Sequence, residues 1–113
     1  MEVLVPMSKN REQEILQKSL ALLVQELSPQ KIYLFGSRAK EKVNPGSDFD
    51  FAIEGDPPSA QKKREIREQI ESIAGLYSVD LIFLSEVDKS FKDLILETGK
   101  LLYDSERGPL LPL

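Results

Sequence analysis

A short segment that alternates acidic and apolar residues restricts the fold of this chain more than any other feature. Residues 48–53 read DFDFAI, a two-residue period that predicts a β-strand with Phe, Phe and Ile on one face. Asp48 and Asp50 then share the other face, ~7 Å apart along the strand. Carboxylates in an apolar strand are costly unless a cation meets them. The segment therefore raises the question of which cation lies against this face.

A third carboxylate interrupts a second apolar strand. Asp80 lies within VDLIFL, residues 79–84. On the simplest interpretation, each Asp sits at a strand end, where it is solvated or paired with Lys or Arg. Three like charges that converge in one sheet, however, repel one another unless a cation neutralises them. We therefore favour a metal site formed by Asp48, Asp50 and Asp80.

The donor types favour magnesium at this site. Mg²⁺ typically uses one or two carboxylates together with substrate phosphates, and two such ions can stabilise the entering and leaving oxygens of phosphoryl or nucleotidyl transfer. A calcium loop is excluded, because Ala52 and Ile53 stand where further oxygen ligands and a glycine are needed. The chain has no cysteine and no histidine, so catalysis would depend on carboxylates, hydroxyls, Lys and Arg.

A Gly-Ser pair precedes the two carboxylates. Gly36 and Ser37 directly follow a predicted strand at Ile32–Phe35. Glycine lets a phosphate approach the backbone, free N–H groups there favour an anion, and Ser37 adds a hydroxyl; an ordinary turn is the alternative. A Walker-type loop is excluded, since its Gly-x-x-x-x-Gly-Lys pattern is absent. Arg38 is a further nucleotide-binding candidate, although it could equally be solvated, as could the lysines that follow.

The remaining pattern predicts three helices and a small sheet. A first helix begins at an Asn10 cap and carries leucines along one side, a second begins at Ser59 and ends at Gly75, and a third covers Glu86–Thr98 after a Ser85–Asp88 capping pair. Further strands are expected at Tyr77–Leu84 and Lys100–Tyr103. The order α-β-β-α-β-α, with a terminal strand, predicts an α/β (α+β) fold with a small mixed β-sheet and helices packed mainly on one face.

Length and charge restrict the organisation and the partners. The chain of 113 residues is sufficient for one domain, and we expect an ordered core at about residues 9–104 between tails at 1–8 and 105–113. A net charge of −4, from 15 basic and 19 acidic residues, argues against direct nucleic-acid binding. No apolar run approaches the ~20 residues of a membrane span, and no signal peptide is visible. The lack of cysteine fits a reducing cytoplasm.

These motifs together resemble a known family. Gly36-Ser37, ten further residues, and then Asp48-Phe49-Asp50 are similar to the minimal nucleotidyltransferases (MNT) of the DNA polymerase β superfamily. Asp80 within VDLIFL looks like the third carboxylate of that family. The surrounding FGSRA, SDFD and ETGKLLYD segments are similar as well, so the resemblance covers roughly residues 15–104.

The resemblance implies a nucleotidyltransferase fold that binds ATP through Mg²⁺, with two ions. It implies that Asp48 and Asp50 hold metals and triphosphate, that Asp80 holds the catalytic metal and helps to activate the acceptor hydroxyl, and that Gly36 and Ser37 cradle the β- and γ-phosphates. A lone small domain of this family is typical of the antitoxin of a two-protein system. Its usual partner is a helical HEPN-domain ribonuclease toxin, which it silences by attaching AMP to a tyrosine in a hetero-complex.

Two other functions remain open beside AMP transfer to a protein. The chain could be a binding module that neutralises its partner by contact alone, although the three intact carboxylates favour an enzyme. It could also transfer a nucleotide to a small molecule, but such enzymes usually need a further domain or a dimer to form the acceptor pocket. The sequence leaves open the acceptor, the base of the nucleotide and the oligomeric state.

Overall fold

Three α-helices and five β-strands form the structure, a computed structural model that describes residues 7–36 and 48–110. In chain order the elements are α1 (Met7–Leu27), β1 (Lys31–Phe35), β2 (Phe49–Glu54), α2 (Ala60–Ala74), β3 (Val79–Phe83), a 3₁₀ turn (Leu84–Glu86), α3 (Lys89–Thr98), β4 (Lys100–Asp104) and β5 (Gly108–Pro109). In the part of the chain described, no helix has the length and apolarity needed to cross a membrane.

The strands form one mixed sheet in the order β3-β2-β1-β4-β5. β1 is antiparallel to β2 and to β4, and β4 is antiparallel to β5, whereas β2 and β3 run parallel. A parallel pair needs a crossover connection, which α2 supplies. The prediction of a small mixed sheet in an α/β (α+β) fold is confirmed.

The two faces of the sheet are covered unequally. The larger core lies under α1 and α2, where the two phenylalanines and the isoleucine of β2 pack with apolar side chains such as Leu23 and Ile70. The opposite face carries a smaller cluster of Tyr33, Ala52, Leu84 and Ile95, of which Ile95 belongs to α3. Two helices thus cover one face and α3 covers part of the other. This leaves the Asp-bearing end of the second face without a helix among the described residues.

The second helix begins and ends as predicted. The Ser59 hydroxyl accepts a hydrogen bond from the backbone N–H of Lys62 at 3.2 Å, which satisfies one of the free donors at the helix start. Gly75 adopts φ +67° at the other end, and its N–H donates to the Glu71 carbonyl at 3.0 Å. These ends fix the position at which the chain enters β3.

The third helix starts later than predicted, and the predicted capping pair is wrong. Leu84–Glu86 form a separate 3₁₀ turn, and Val87 is extended (φ −104°, ψ 161°), so no continuous helix can include Glu86. The Asp88 carboxylate is itself the N-cap and accepts from the Phe91 N–H at 2.8 Å. The buried Leu84 explains the turn, because its side chain packs in the smaller cluster and holds the backbone there.

The ends of the described chain also differ from the prediction. The first helix begins at Met7, before the expected Asn10 cap. Part of the predicted tail forms β5, in which Gly108 pairs with Asp104. The Asp104 carboxylate accepts from the Glu106 N–H at 2.9 Å and so stabilises the turn before β5. Residues 1–6 and 111–113 lie outside the described residues.

Candidate active site

Two of the three predicted carboxylates are direct neighbours in the sheet. Asp50 of β2 is in register with Asp80 of β3. Because the flanking residues Phe49 and Phe51, and likewise Val79 and Leu81, are buried in the larger core, both Asp side chains point to the opposite face. Adjacent strands lie ~4.8 Å apart. The parallel register therefore brings two negative charges together on the face that α3 covers only in part.

Asp48 lies directly before β2 and is exposed. The next residue is fixed to the neighbouring strand region, because the Phe49 N–H donates to the Ser78 carbonyl at 2.9 Å. Asp48 acts electrostatically on Asp50. The structure thus places all three acidic residues in one region, with Asp50 at its centre.

The charge cluster changes the acidity of Asp50. Burial raises the pKa of the Asp50 carboxyl above its ordinary value of 3.8, and the negative charges of Asp80 and Asp48 raise it further. Both causes act in the same direction, since neither a low-dielectric environment nor a like charge favours the carboxylate. A cation bound at this position would remove the second cause.

Gly36 lies against the Asp50 carboxylate. It follows β1 directly, in which Phe35 is in register with Asp50, and it adopts φ +74°, a conformation that favours glycine. A Cβ atom built at this position would lie 2.4 Å from Oδ2 of Asp50. Only a residue without a side chain therefore permits this approach of backbone to carboxylate. Ser37 and Arg38, the other predicted nucleotide-binding residues, lie outside the described part of the chain.

Asp80 is held by two contacts that sequence reasoning missed. Its Oδ1 atom accepts a hydrogen bond from the backbone N–H of Leu81 at 3.1 Å. Nη2 of Arg67, on α2, lies 4.0 Å from the same oxygen and donates to the Leu81 carbonyl at 3.3 Å. Arg67 belongs to the segment KKREIRE, residues 62–68, in which the mixed charges predict an exposed helical face. The pattern contains no signal that distinguishes Arg67 from its neighbours, because the contact depends on how α2 packs beside β3.

The donor set fits Mg²⁺, but it is not a complete metal cage. Among the residues that the structure describes, no three His, Cys, Asp or Glu side chains converge closely enough to hold an ion. Asp50 and Asp80 do supply two adjacent hard oxygen donors, and Mg²⁺ usually takes one or two carboxylates and completes its shell with water and substrate phosphates. These residues therefore fit an ion that binds together with a nucleotide.

An apolar cavity lies beside this site. It has a volume of about 400 Å³ and is lined by Phe35, Gly36, Phe91, Leu94, Ile95 and Thr98. The rings of Phe35 and Phe91 meet edge to face with centroids 5.8 Å apart. Leu94 is 54% exposed, and Phe91 and Leu96 on the same helix are partly exposed as well. Two exposed apolar side chains of α3, Phe91 and Leu94, thus line the same cavity as Gly36.

Comparison with solved structures finds the same fold in toxin–antitoxin complexes. A chain in a toxin–antitoxin structure with AMP-PNP is 28% identical, with a TM-score of 0.68 over 78% of this chain and 72% of that chain. A chain of the MntA–HepT complex is 26% identical, with a TM-score of 0.64 over 84% and 74%. The third is a Shewanella oneidensis complex of a tri-AMPylated HEPN toxin with an MNT antitoxin. A chain in it is 25% identical, with a TM-score of 0.64 over 89% and 76%.

Comparison with curated proteins finds no match. The family model described as "Polymerase beta, Nucleotidyltransferase" matches residues 17–108, which include Gly36, Asp50 and Asp80. The expected resemblance to minimal nucleotidyltransferases is confirmed. The chain belongs to the polymerase β nucleotidyltransferase family.

Proposed function

We propose that this chain is an antitoxin that transfers AMP from ATP, with Mg²⁺, to a tyrosine hydroxyl of a HEPN-type ribonuclease toxin. One observation carries the proposal: Asp50 and Asp80 are paired on one sheet face while the backbone of Gly36 lies against Asp50. The carboxylates would bind the cation of a metal-bound nucleotide, and the backbone of Gly36, which has no side chain, would leave room for its phosphates. Ser37 and Arg38 would add a hydroxyl and a positive charge next to this backbone.

The reaction divides among the residues as follows. The acceptor oxygen attacks the α-phosphorus of ATP, a new P–O bond forms, and the bond to the β-phosphate breaks, so that pyrophosphate leaves. Asp80, which is more exposed than Asp50, accepts the proton of the acceptor hydroxyl. Asp48 and Asp50 would hold the cation-bound triphosphate, Asp80 would also hold the second cation, and Gly36 and Ser37 would contact the outer phosphates. Bound Mg²⁺ supplies charge neutralisation and polarises the phosphate; positioning by the protein does the rest.

The comparisons support the donor and the partner. One matched structure contains AMP-PNP, an ATP analogue, and another contains an AMPylated HEPN toxin with its MNT antitoxin. The apolar surface of α3 next to the site, formed by Phe91 and Leu94, is typical of a protein-contact surface. Both proteins of the pair would meet in the cytoplasm, which suits a chain without cysteine.

Neutralisation by contact alone is the second candidate, and the same α3 surface favours it. Co-expression with a HEPN protein encoded beside this chain, followed by intact mass of both chains, tests the proposal. We expect a gain of about 329 Da per AMP on the partner, as pyrophosphate release requires, and no gain with Asp80→Asn. An unmodified partner that is still fully neutralised would establish the contact mechanism instead.

A further inference from the structure

Side chains bind the backbone groups of Leu81 at the edge of the sheet beside the site. β3 is the terminal strand in the order β3-β2-β1-β4-β5, so its outer side has no strand partner among the described residues. Backbone groups on such an edge need another partner. At Leu81 both groups are satisfied by side chains, since the N–H donates to Asp80 and the carbonyl accepts from Arg67.

The contacts at Leu81 also fix the Asp80 carboxylate. The three groups form a closed ring: Asp80 Oδ1 to Leu81 N at 3.1 Å, Leu81 O to Arg67 Nη2 at 3.3 Å, and Arg67 Nη2 to Asp80 Oδ1 at 4.0 Å. Oδ2 of Asp80 accepts no hydrogen bond within the described residues. One oxygen is therefore anchored at the sheet edge while the other is left for the site.

We propose that Arg67 is a positioning residue that orients Asp80 for metal binding and catalysis. This inference rests on the proposed function, because it concerns the carboxylate that faces the acceptor. Arg67 reaches the carboxylate from α2, a helix on the other face of the sheet, by extending around the β3 edge. The planar guanidinium of Arg67 can interact with a carbonyl and a carboxylate at the same time. The compact ammonium group of lysine is less suited to such a double contact.

The charge of Arg67 and its geometry predict opposite effects on metal affinity. A nearby positive charge repels a divalent cation, so a residue that acted only through charge would, when removed, leave cation affinity unchanged or increase it. The side chains of Arg67 and Asp80 are 46% and 55% exposed, and exposed pairs of this kind interact weakly. Arg67 acts on the orientation of Asp80 through Leu81, because it donates to the carbonyl of the residue whose N–H donates to Asp80. Loss of an outer partner that orients a metal ligand typically costs ~10–100-fold in metal affinity or activity.

Arg67→Ala and Arg67→Lys test the proposal, with Arg64→Ala as the matched control. Arg64 is exposed on the same helix and makes no ion pair or hydrogen bond with the described residues. Binding of Mn²⁺, as a probe for Mg²⁺, is measured by electron paramagnetic resonance in the presence of AMP-PNP. AMP transfer to the co-purified partner is measured in parallel, with thermal melting as the check on folding.

We expect both Arg67 variants to bind Mn²⁺ about tenfold more weakly and to transfer AMP about tenfold more slowly than the wild type, with melting temperatures close to that of Arg64→Ala. Unchanged or tighter Mn²⁺ binding by Arg67→Ala, or full rescue by Arg67→Lys, would overturn the positioning role. If the wild-type complex transfers no AMP, the proposed function fails instead. The Mn²⁺ measurement still decides whether Arg67 orients Asp80.

Discussion

A Cβ atom at Gly36 would lie 2.4 Å from Oδ2 of Asp50, far inside van der Waals contact. Gly36 and the Asp-x-Asp motif are thus in direct contact in the folded chain, although other residues separate them in the sequence. The glycine is required for two reasons, since its φ of +74° is also unfavourable for other residues.

Gly36→Ala should therefore lose nucleotide binding as well as stability. The left-handed backbone conformation costs an alanine about 1–2 kcal/mol, and the added methyl group displaces the Asp50 carboxylate. Gly108→Ala is the matched control, because Gly108 has φ +84° but no atom lies within 4 Å of the position that its Cβ would take. Both variants should lose similar stability in urea titrations, whereas only Gly36→Ala should lose ATP affinity in calorimetry. Equal ATP affinity in the two variants would contradict the contact with Asp50.

Asp50→Asn should abolish transfer without destabilising the metal-free protein. The pKa of Asp50 is raised in the folded state, so the folded chain binds this proton more tightly than the unfolded chain does. The protonated Asp50 carboxyl stabilises the fold fully below its ordinary pKa of 3.8. This stabilisation is lost as the pH rises through the higher pKa that Asp50 has in the folded state. Asparagine does not ionise, so the variant does not lose this stability as the pH rises.

The measurement is the free energy of unfolding between about pH 3.5 and 7, in EDTA and relative to wild type. The stability of Asp50→Asn should rise relative to wild type as the pH increases. Asp56→Asn, at an exposed position after β2, is the control for loss of a carboxylate away from the acidic cluster. Unfolding of Asp50→Asn at neutral pH would mean that the carboxylate is structural.

Affinity for ATP should depend on Mg²⁺. Asp50 and Asp80 repel the triphosphate unless a cation lies between them, so calorimetric titration with ATP should give a much weaker or undetectable signal in EDTA. Asp80→Asn should reduce the difference between the two conditions, because it removes one donor and one negative charge. Equal affinity with Mg²⁺ and with EDTA in the wild type would remove the metal from the mechanism.

The apolar surface of α3 should contribute to partner binding. Leu94→Lys places a charge in this surface, and we expect the complex with the proposed HEPN partner to weaken by about tenfold or more, as for a central interface residue. Leu76→Lys is the control, because Leu76 is fully exposed and lies in the connection between α2 and β3. Affinities measured by biolayer interferometry that fall equally for both variants would argue against a specific role for α3.

Local patterns predicted the elements that border the site. The alternation in residues 48–53 and the apolar run around Asp80 are sufficient to predict two strands, since period and burial agree along both. The cap at Ser59 and the stop at Gly75 depend on neighbouring residues only, and both were predicted correctly.

Features that depend on distant contacts could not be predicted in this way. The start of α3 depends on the burial of Leu84 against Tyr33 and Ala52, so Asp88 rather than Ser85 caps the helix. The contact of Arg67 with Asp80 depends on the packing of α2 beside an edge strand. The strand at Gly108–Pro109 exists only because β4 offers an edge to pair with.

The parallel pairing of β2 with β3 determines when the site can form during synthesis. A ribosome that has released the chain only through α2 has made Asp50 but not its neighbour Asp80, and no local turn can substitute for the missing strand. The catalytic centre is therefore completed only after the crossover has folded back onto the sheet, a non-local step that is slow compared with helix formation. Under the proposed function, the nascent chain would have to finish this step before it could transfer AMP to its partner.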